Sequence, residues 1–561
     1  MQSADPRKIP AREIALVCAG AVLLAIVVHW PLPLKLADVF PRDLGDPIVQ
    51  AWQVAWGGHA LMSQPLEFFQ ANQYWPLKDT LAFSDALIGY APTGMIGSGV
   101  EAATIRYNLL FLFAYALAFI GAYFLARELK LRPAAAAVAG AAFAYAPWRL
   151  EQDGHLHVIS SGGIALTLFL LARGYRTRRA LTIVSGWLVA AWQVSLGFTL
   201  GLQLGYLLAF LGLLAGISLW RGGGEKLPPG RVLAATIAGG LVLLVTAVTL
   251  ALPYQRVLEN HPEAERSLER VASGSGPLWS YLSAPENNRV WGAATESIRQ
   301  DHLTSIAEQT LFPGLVIFGL VLAGLAAPVF SKRLRVGLGA GALLLILLSL
   351  GVRESGIGQY LPYRALFEFA PGWQGVRTPG RLNTLTSLIF ALLAAAGTAW
   401  LIDRFSRRAA VATGAVIVAL VCLEFAGDVL PGAPPEPAGA QAAIAAPQLH
   451  LPITIAANRR YVYWSTDGFP KIVNGRASID PTSFSELTAE VSGFPDQRSV
   501  AALKTLGVRS VVLHPYLLVG TRWHDAAVKP TRGLGISRRV QGDLVIYDLP
   551  PAAGKGRSLG Q

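Results

Sequence analysis

The feature that most restricts this chain is a series of long stretches almost free of charge, among them 14–28, 232–252 and 382–402. A helix needs roughly 20 mostly apolar residues to cross about 30 Å of hydrocarbon. Only 15% of the residues are charged, against about 25% in a soluble domain. A polytopic α-helical membrane protein is therefore expected. Eleven candidate spans can be read: 13–32, 106–126, 133–147, 158–172, 180–195, 197–219, 232–252, 309–329, 335–351, 382–402 and 409–429. The pair 180–195 and 197–219 meets at Ser195-Leu196-Gly197 and reads as a broken hairpin. The first run is long enough to span, and no small-residue cleavage site closes it, so a retained signal anchor is expected.

Basic residues cluster at Arg7/Lys8/Arg12, Arg127/Lys130/Arg132, Arg173/Arg176/Arg178/Arg179, Arg221/Lys226/Arg231, Lys332/Arg333/Arg335 and Arg404/Arg407/Arg408. With eleven spans, all six clusters fall on one side, and the positive-inside rule makes that side cytoplasmic. The net charge of +12 is thus explained by loops at the membrane, with no nucleic-acid partner expected. Cys18 and Cys422 sit in apolar runs and read as neither a disulfide nor a metal site.

This orientation puts the N-terminus in the cytoplasm. Loops 33–105, 253–308 and 352–381 lie outside, together with the turn 148–157, the tip near 196 and everything after about 430. The expected organisation is a membrane domain over 1–430, a Pro/Ala/Gly linker over 431–447, and an extracytoplasmic mixed α/β domain over 448–561. In that tail Tyr461–Trp464, Val508–Leu513 and Asp543–Leu549 read as strands, and Ser485–Val491 and Ser499–Leu506 as helices. Long segments on the outer side suggest chemistry at that surface.

After the first span comes Phe40-Pro41-Arg42-Asp43-Leu44-Gly45-Asp46-Pro47, then an amphipathic stretch with Trp52 and Trp56. Asp46-Pro47 is a good helix start, with Asp46 as cap. The stretch that follows is expected in the membrane interface. Asp43 and Asp46 read either as a solvated loop residue and a cap, or as carboxylates placed for general-base work at the lipid–water boundary. Inverting glycosyl transfer needs such a base for the acceptor hydroxyl. It also needs cations or a metal to hold the phosphate leaving group.

An acidic motif directly after the first span, followed by an interfacial helix, resembles the C-type (GT-C) superfamily of integral membrane glycosyltransferases. The likeness extends to a bacterial branch through Gly45-Asp46-Pro47…Trp52, Ala71-Asn72…Pro76…Thr80-Leu81, Phe143-Ala144-Tyr145…Pro147…Arg149, Gly154-His155-Leu156, Val376-Arg377…Pro379…Arg381, Val473-Asn474-Gly475 and Leu506-Gly507-Val508-Arg509. The resemblance implies a catalytic carboxylate in the first outer loop and a polyprenyl-phosphate sugar as donor. The superfamily's common Asp-Glu pair is replaced here by Asp43-Leu-Gly-Asp46, so either acid can be the base, with Asp46 placed first.

Other polar residues are weighed beside this reading. Arg149, Glu151, Asp153, His155 and His157 crowd the turn after the third span, either as snorkelling ion pairs or as ligands of a donor phosphate. Arg377 and Arg381 are four apart on the outer side, and a guanidinium fork suits phosphate. Arg149, His155, Arg377 and Arg381 are the expected donor-phosphate ligands. Asp85 reads as a second acid or a cap, with His157 as a further accessory residue. His155-x-His157 lacks a clear third metal ligand, which leaves a divalent metal open. Glu259, His261, Glu263, Glu265, Asp301 and His302 read as solvated charge on surface helices.

The expected function is inverting transfer of a sugar from a polyprenyl phosphate to a glycan, lipid or protein of the cell envelope. The place is the outer face of the bacterial cytoplasmic membrane. The rivals are a lipid-linked-sugar transporter, an envelope-assembly scaffold, or another lipid-phosphate transferase. A transporter should show charges or broken helices near midplane in repeated halves, and few charges and no repeat are found.

Overall fold

A computed structural model describes residues 8–221, 229–353, 360–428, 431–437 and 441–550. Arg7 and Lys226 of the basic clusters lie outside these residues, as do parts of the 352–381 loop and the 431–447 linker.

A helix occupies each of the eleven expected stretches. Seven are long and apolar enough to cross a membrane: Ala11–Val28, Gly99–Glu128, Leu156–Thr177, Phe198–Trp220, Gly230–Asn260, Pro379–Ile402 and Arg407–Phe425. Pro133–Ala144, Ala180–Val194 and Leu315–Ala326 are apolar but shorter, and Lys332–Ser349 begins on three basic residues. The hairpin breaks where expected, between Val194 and Phe198. The Gly230–Asn260 helix continues past the expected end, through Pro253. Many of these helices present bare apolar faces, such as Leu241, Leu244, Val245 and Val248 on one of them. Apolar area of that extent is stable against lipid, not water. The chain is a multi-pass membrane protein.

The fold divides into two compact units. The first comprises Met1–Leu34, Leu110–Val248 and Arg266–Leu430. Its central helix is Asn383–Ile402, buried along almost its whole length, with Leu315–Ala326, Pro133–Ala144 and Lys332–Ser349 around it. Small residues allow this closeness: a Cβ on Gly397 would stand 2.2 Å from the Leu320 carbonyl oxygen, and one on Gly324 2.0 Å from that of Leu393.

The second unit comprises Lys35–Leu109, Thr249–Glu265 and Pro431–Gln561, so the tail folds together with the long segment after the first apolar helix. Its sheet has four strands in the order β1-β2-β4-β3. Strand β1 (Gln448–Leu451) runs parallel to β2 (Ser510–Leu513), and β4 (Leu544–Asp548) pairs antiparallel with both β2 and β3 (Ser537–Gln541). Leu449, Leu451, Phe494, Leu503, Val511 and Tyr547 fill the core beneath it. Strands β1 and β3 were not expected; β3 carries Arg538 and Arg539 on an exposed edge and has no alternation to read.

Two expectations are corrected here. Tyr461–Trp464 is the end of a helix, Ile455–Trp464, whose first turn is capped by the Thr454 hydroxyl accepting the Ala457 N–H at 3.1 Å. The last turn of that helix is buried on all sides, with Tyr461 donating to the Pro452 carbonyl and Tyr463 to that of Val100. A short run buried all round has no period that separates strand from helix. For the same reason the Asp46–Ser63 helix is not an amphipathic surface helix: thirteen of its residues, including Trp52 and Trp56, are buried.

Candidate active site

The Asp46–Ser63 helix starts at Asp46 itself, with Pro47 in the first turn and Gly45 flanking it. No side chain caps it, so Asp46 is not the cap read from the sequence. It instead lies in the first turn, at the positive pole of the helix, which favours a negative charge. Asp43 folds back and accepts the Gly45 N–H at 2.6 Å. A Cβ on Gly45 would fall 2.7 Å from that Asp43 oxygen, which explains the glycine.

Two arginines flank the two acids. Arg42 Nε lies 3.8 Å from Asp43 Oδ2, with side-chain exposures of 25% and 55%. Arg459 Nη2, from the tail, lies 3.9 Å from Asp46 Oδ1, with exposures of 25% and 47%. The acids face outward and the cations are recessed. Asp85 is not a helix cap: it falls between the short 3-10 segments Thr80–Phe83 and Ile88–Tyr90, which are flanked by Ser84 and Leu87.

The motif residues of the first loop and the tail lock this platform together. Trp52 Nε1 donates to Asn72 Oδ1 at 3.0 Å, and Asn72 Nδ2 donates to the Pro470 carbonyl at 2.9 Å. The backbones join at Tyr74 N to Asn474 O, Trp75 N to Ile472 O, and Ile472 N to Asn72 O, all 2.8–3.0 Å. Gly475 lies under the Tyr74 ring, where a Cβ would be 2.3 Å from it.

The cationic residues gather in the other unit. Arg149 sits on a 3-10 turn, Pro147–Gln152, and is fully buried. It donates to Ser161 Oγ at 3.0 Å and to the Ile159 carbonyl at 2.7 Å, and its guanidinium lies 5.3 Å from the Tyr115 ring centre. Tyr115 in turn donates to Asp153. This is a buried brace, not a snorkelling interfacial pair.

Arg381 lies in the 3-10 turn Pro379–Leu382 that opens the central helix. It grips Glu308 with two hydrogen bonds, Nη2 to Oε1 at 2.7 Å and Nε to Oε2 at 3.2 Å. Its Nη1 is 3.0 Å from His157 Nε2. An arginine only donates, so this His157 nitrogen accepts and carries no proton. Burial alone would raise the Glu308 carboxyl, but Arg381, His155 and Arg377 outweigh it and hold the group down at about 2. Arg266 extends the positive patch beside Arg377.

His155, His157, Arg377 and Arg381 thus share one cluster, whose centre, Glu308, was not singled out from the sequence. Among the described residues no three His, Cys, Asp or Glu side chains converge on one point. His157 Nε2 is engaged with Arg381.

No protein-family model matches this sequence, and no curated protein does. Solved structures do. The mycobacterial arabinofuranosyltransferase AftD, a GT-C glycosyltransferase, is 14% identical with a TM-score of 0.57, over 96% of this chain and 42% of AftD. A second class of the same AftD mutant gives 15% identity and a TM-score of 0.56. The oligosaccharyltransferase of Archaeoglobus fulgidus is 14% identical over 92% of this chain and 71% of its own, with a TM-score of 0.48. At such identities the likeness concerns fold alone: the chain resembles AftD along most of its own length, while spanning less than half of AftD.

Proposed function

We propose that this chain is a glycosyltransferase that moves a sugar, with inversion, from a polyprenyl phosphate to a glycan, lipid or protein of the cell envelope. On this reading eleven spans place the N-terminus in the cytoplasm of a bacterium, and the acids and the tail outside. The supporting observation is the acid pair: two half-exposed carboxylates at a helix N-terminus, with their arginines recessed behind them.

In the proposed step the Asp46 carboxylate takes the proton of the acceptor hydroxyl. The acceptor oxygen forms a bond to the anomeric carbon from the face opposite the leaving group. The bond from that carbon to the phosphate oxygen breaks, and the lipid phosphate departs with the electron pair. Arg377 and His155 are the proposed phosphate contacts, backed by the charge of Arg381. Arg149 is assigned a bracing role, because it is fully buried and both of its terminal nitrogens are engaged, with Ser161 and with Ile159.

Asp46→Asn tests this. Sugar transfer from a polyprenyl-phosphate donor in proteoliposomes should fall by about 10²- to 10⁴-fold, the usual contribution of a general base, with abundance and folding unchanged. Normal turnover in that variant would remove Asp46 from the role.

A further inference from the structure

A general base is efficient only when its carboxylate is held toward the proton it removes. Asp46 has nearly half of its side chain in solvent, and such a carboxylate samples several directions unless a neighbour biases it. Resting on the assignment of Asp46 as base, we propose that Arg459 is the residue that positions it, so that the C-terminal tail completes the catalytic centre.

Arg459 is carried on a backbone fixed from several sides. The Thr454 cap starts its helix. Its neighbour Asn458 accepts from Asn474 Nδ2 at 3.0 Å. Asn474 is itself pinned to strand β1, accepting the His450 N–H at 2.6 Å and donating to the His450 carbonyl at 2.9 Å. At the far end of the helix Trp464 Nε1 donates to the Pro435 carbonyl at 2.7 Å. The Val473-Asn474-Gly475 motif therefore sets the helix that carries Arg459, while Asn72 and Trp52 tie the same stretch of tail to the Asp46 helix.

The guanidinium lies against Gly45 as well: its central carbon is 3.8 Å from where a Cβ on Gly45 would sit. Among the described residues Asp46 is its one ion-pair partner. At 3.9 Å the attraction directs the carboxylate without the bidentate clamp that would consume both oxygens.

The test uses the full chain in proteoliposomes with a polyprenyl-phosphate sugar as donor. Arg459→Gln should lower kcat by about tenfold to a hundredfold, the range for a misplaced catalytic group, with the donor KM within about twofold. Arg459→Lys, which keeps the charge but not the fork, should recover much of that loss. Asp46→Asn is run alongside. If Asp46→Asn is inactive while Arg459→Gln turns over normally, the positioning role is overturned and the base assignment stands. If Asp46→Asn is active, the base assignment itself fails. A raised donor KM with unchanged kcat would make Arg459 a donor ligand instead. Equal losses in the Gln and Lys variants with a lowered melting temperature would make it a structural residue only; either result overturns the proposal.

Discussion

Asp46 keeps 47% of its side chain exposed and meets Arg459 at 3.9 Å, whereas Arg381 is almost wholly buried and holds Glu308 at 2.7 and 3.2 Å. An exposed pair at that distance contributes about 0–1 kcal/mol to stability, so its effect is expected on the direction of the carboxylate and not on the fold. A buried bidentate pair is different, since removing one partner strands a charge away from water and costs about 3–5 kcal/mol. The first arrangement suits a group that must accept a proton from a visiting molecule. The second suits a fixed electrostatic support, one that keeps a positive field in place and does not itself move.

The largest effect should come from breaking the buried pair. Arg381→Met takes the bidentate partner from the buried Glu308 and should destabilise the protein by about 3–5 kcal/mol, seen as a lower melting temperature in detergent. Adding Glu308→Gln should restore most of the loss. An unchanged melting temperature in the single variant would dissolve the contrast between the two regions.

Acid titration sharpens the same contrast. Glu308 is held down from an ordinary 4.5 to about 2, so the unfolded chain binds its proton first. The stability this supplies is therefore complete above about pH 4.5 and disappears as pH falls toward 2. A shift of that size corresponds to about 3 kcal/mol. Glu308→Gln should lack this component, so the difference in stability between the two proteins should narrow through that window. A constant difference would mean that Glu308 is not ionised by its neighbours.

How much of this was legible follows from range. Apolar runs announce helices locally, and each expected span holds one. The acid motif and Trp52 stood out directly after the first apolar run, whereas Asn72 and the Val473-Asn474-Gly475 stretch were marked only by the resemblance to the GT-C superfamily. What they do was not legible, because their partners are distant: Asn72 and Pro470 are 398 residues apart, and Arg459 lies in a run that read as the approach to a strand. Glu308 is one acid among several in a charged loop, and only the fold selects it as the partner of Arg381. Arg149 shows the converse, since a charge in a short turn reads as surface, yet the turn is buried among Tyr115, Phe143 and Trp148.

Asp43 provides the smallest and most discriminating change. Its Oδ1 accepts the Gly45 N–H at 2.6 Å, and Asn at this position can accept the same bond through its amide oxygen. Asp43→Asn therefore exchanges a charged acceptor for a neutral one at a site 55% exposed, a change of about 1 kcal/mol or less. Melting temperature should hardly move, and sugar transfer should fall only several-fold through a slightly altered approach to the Asp46 helix. If Asp43→Asn instead abolishes transfer while Asp46→Asn retains it, the two acids exchange roles: the proton acceptor is then the residue outside the helix, and the helix N-terminus serves to hold Asp46 as its support.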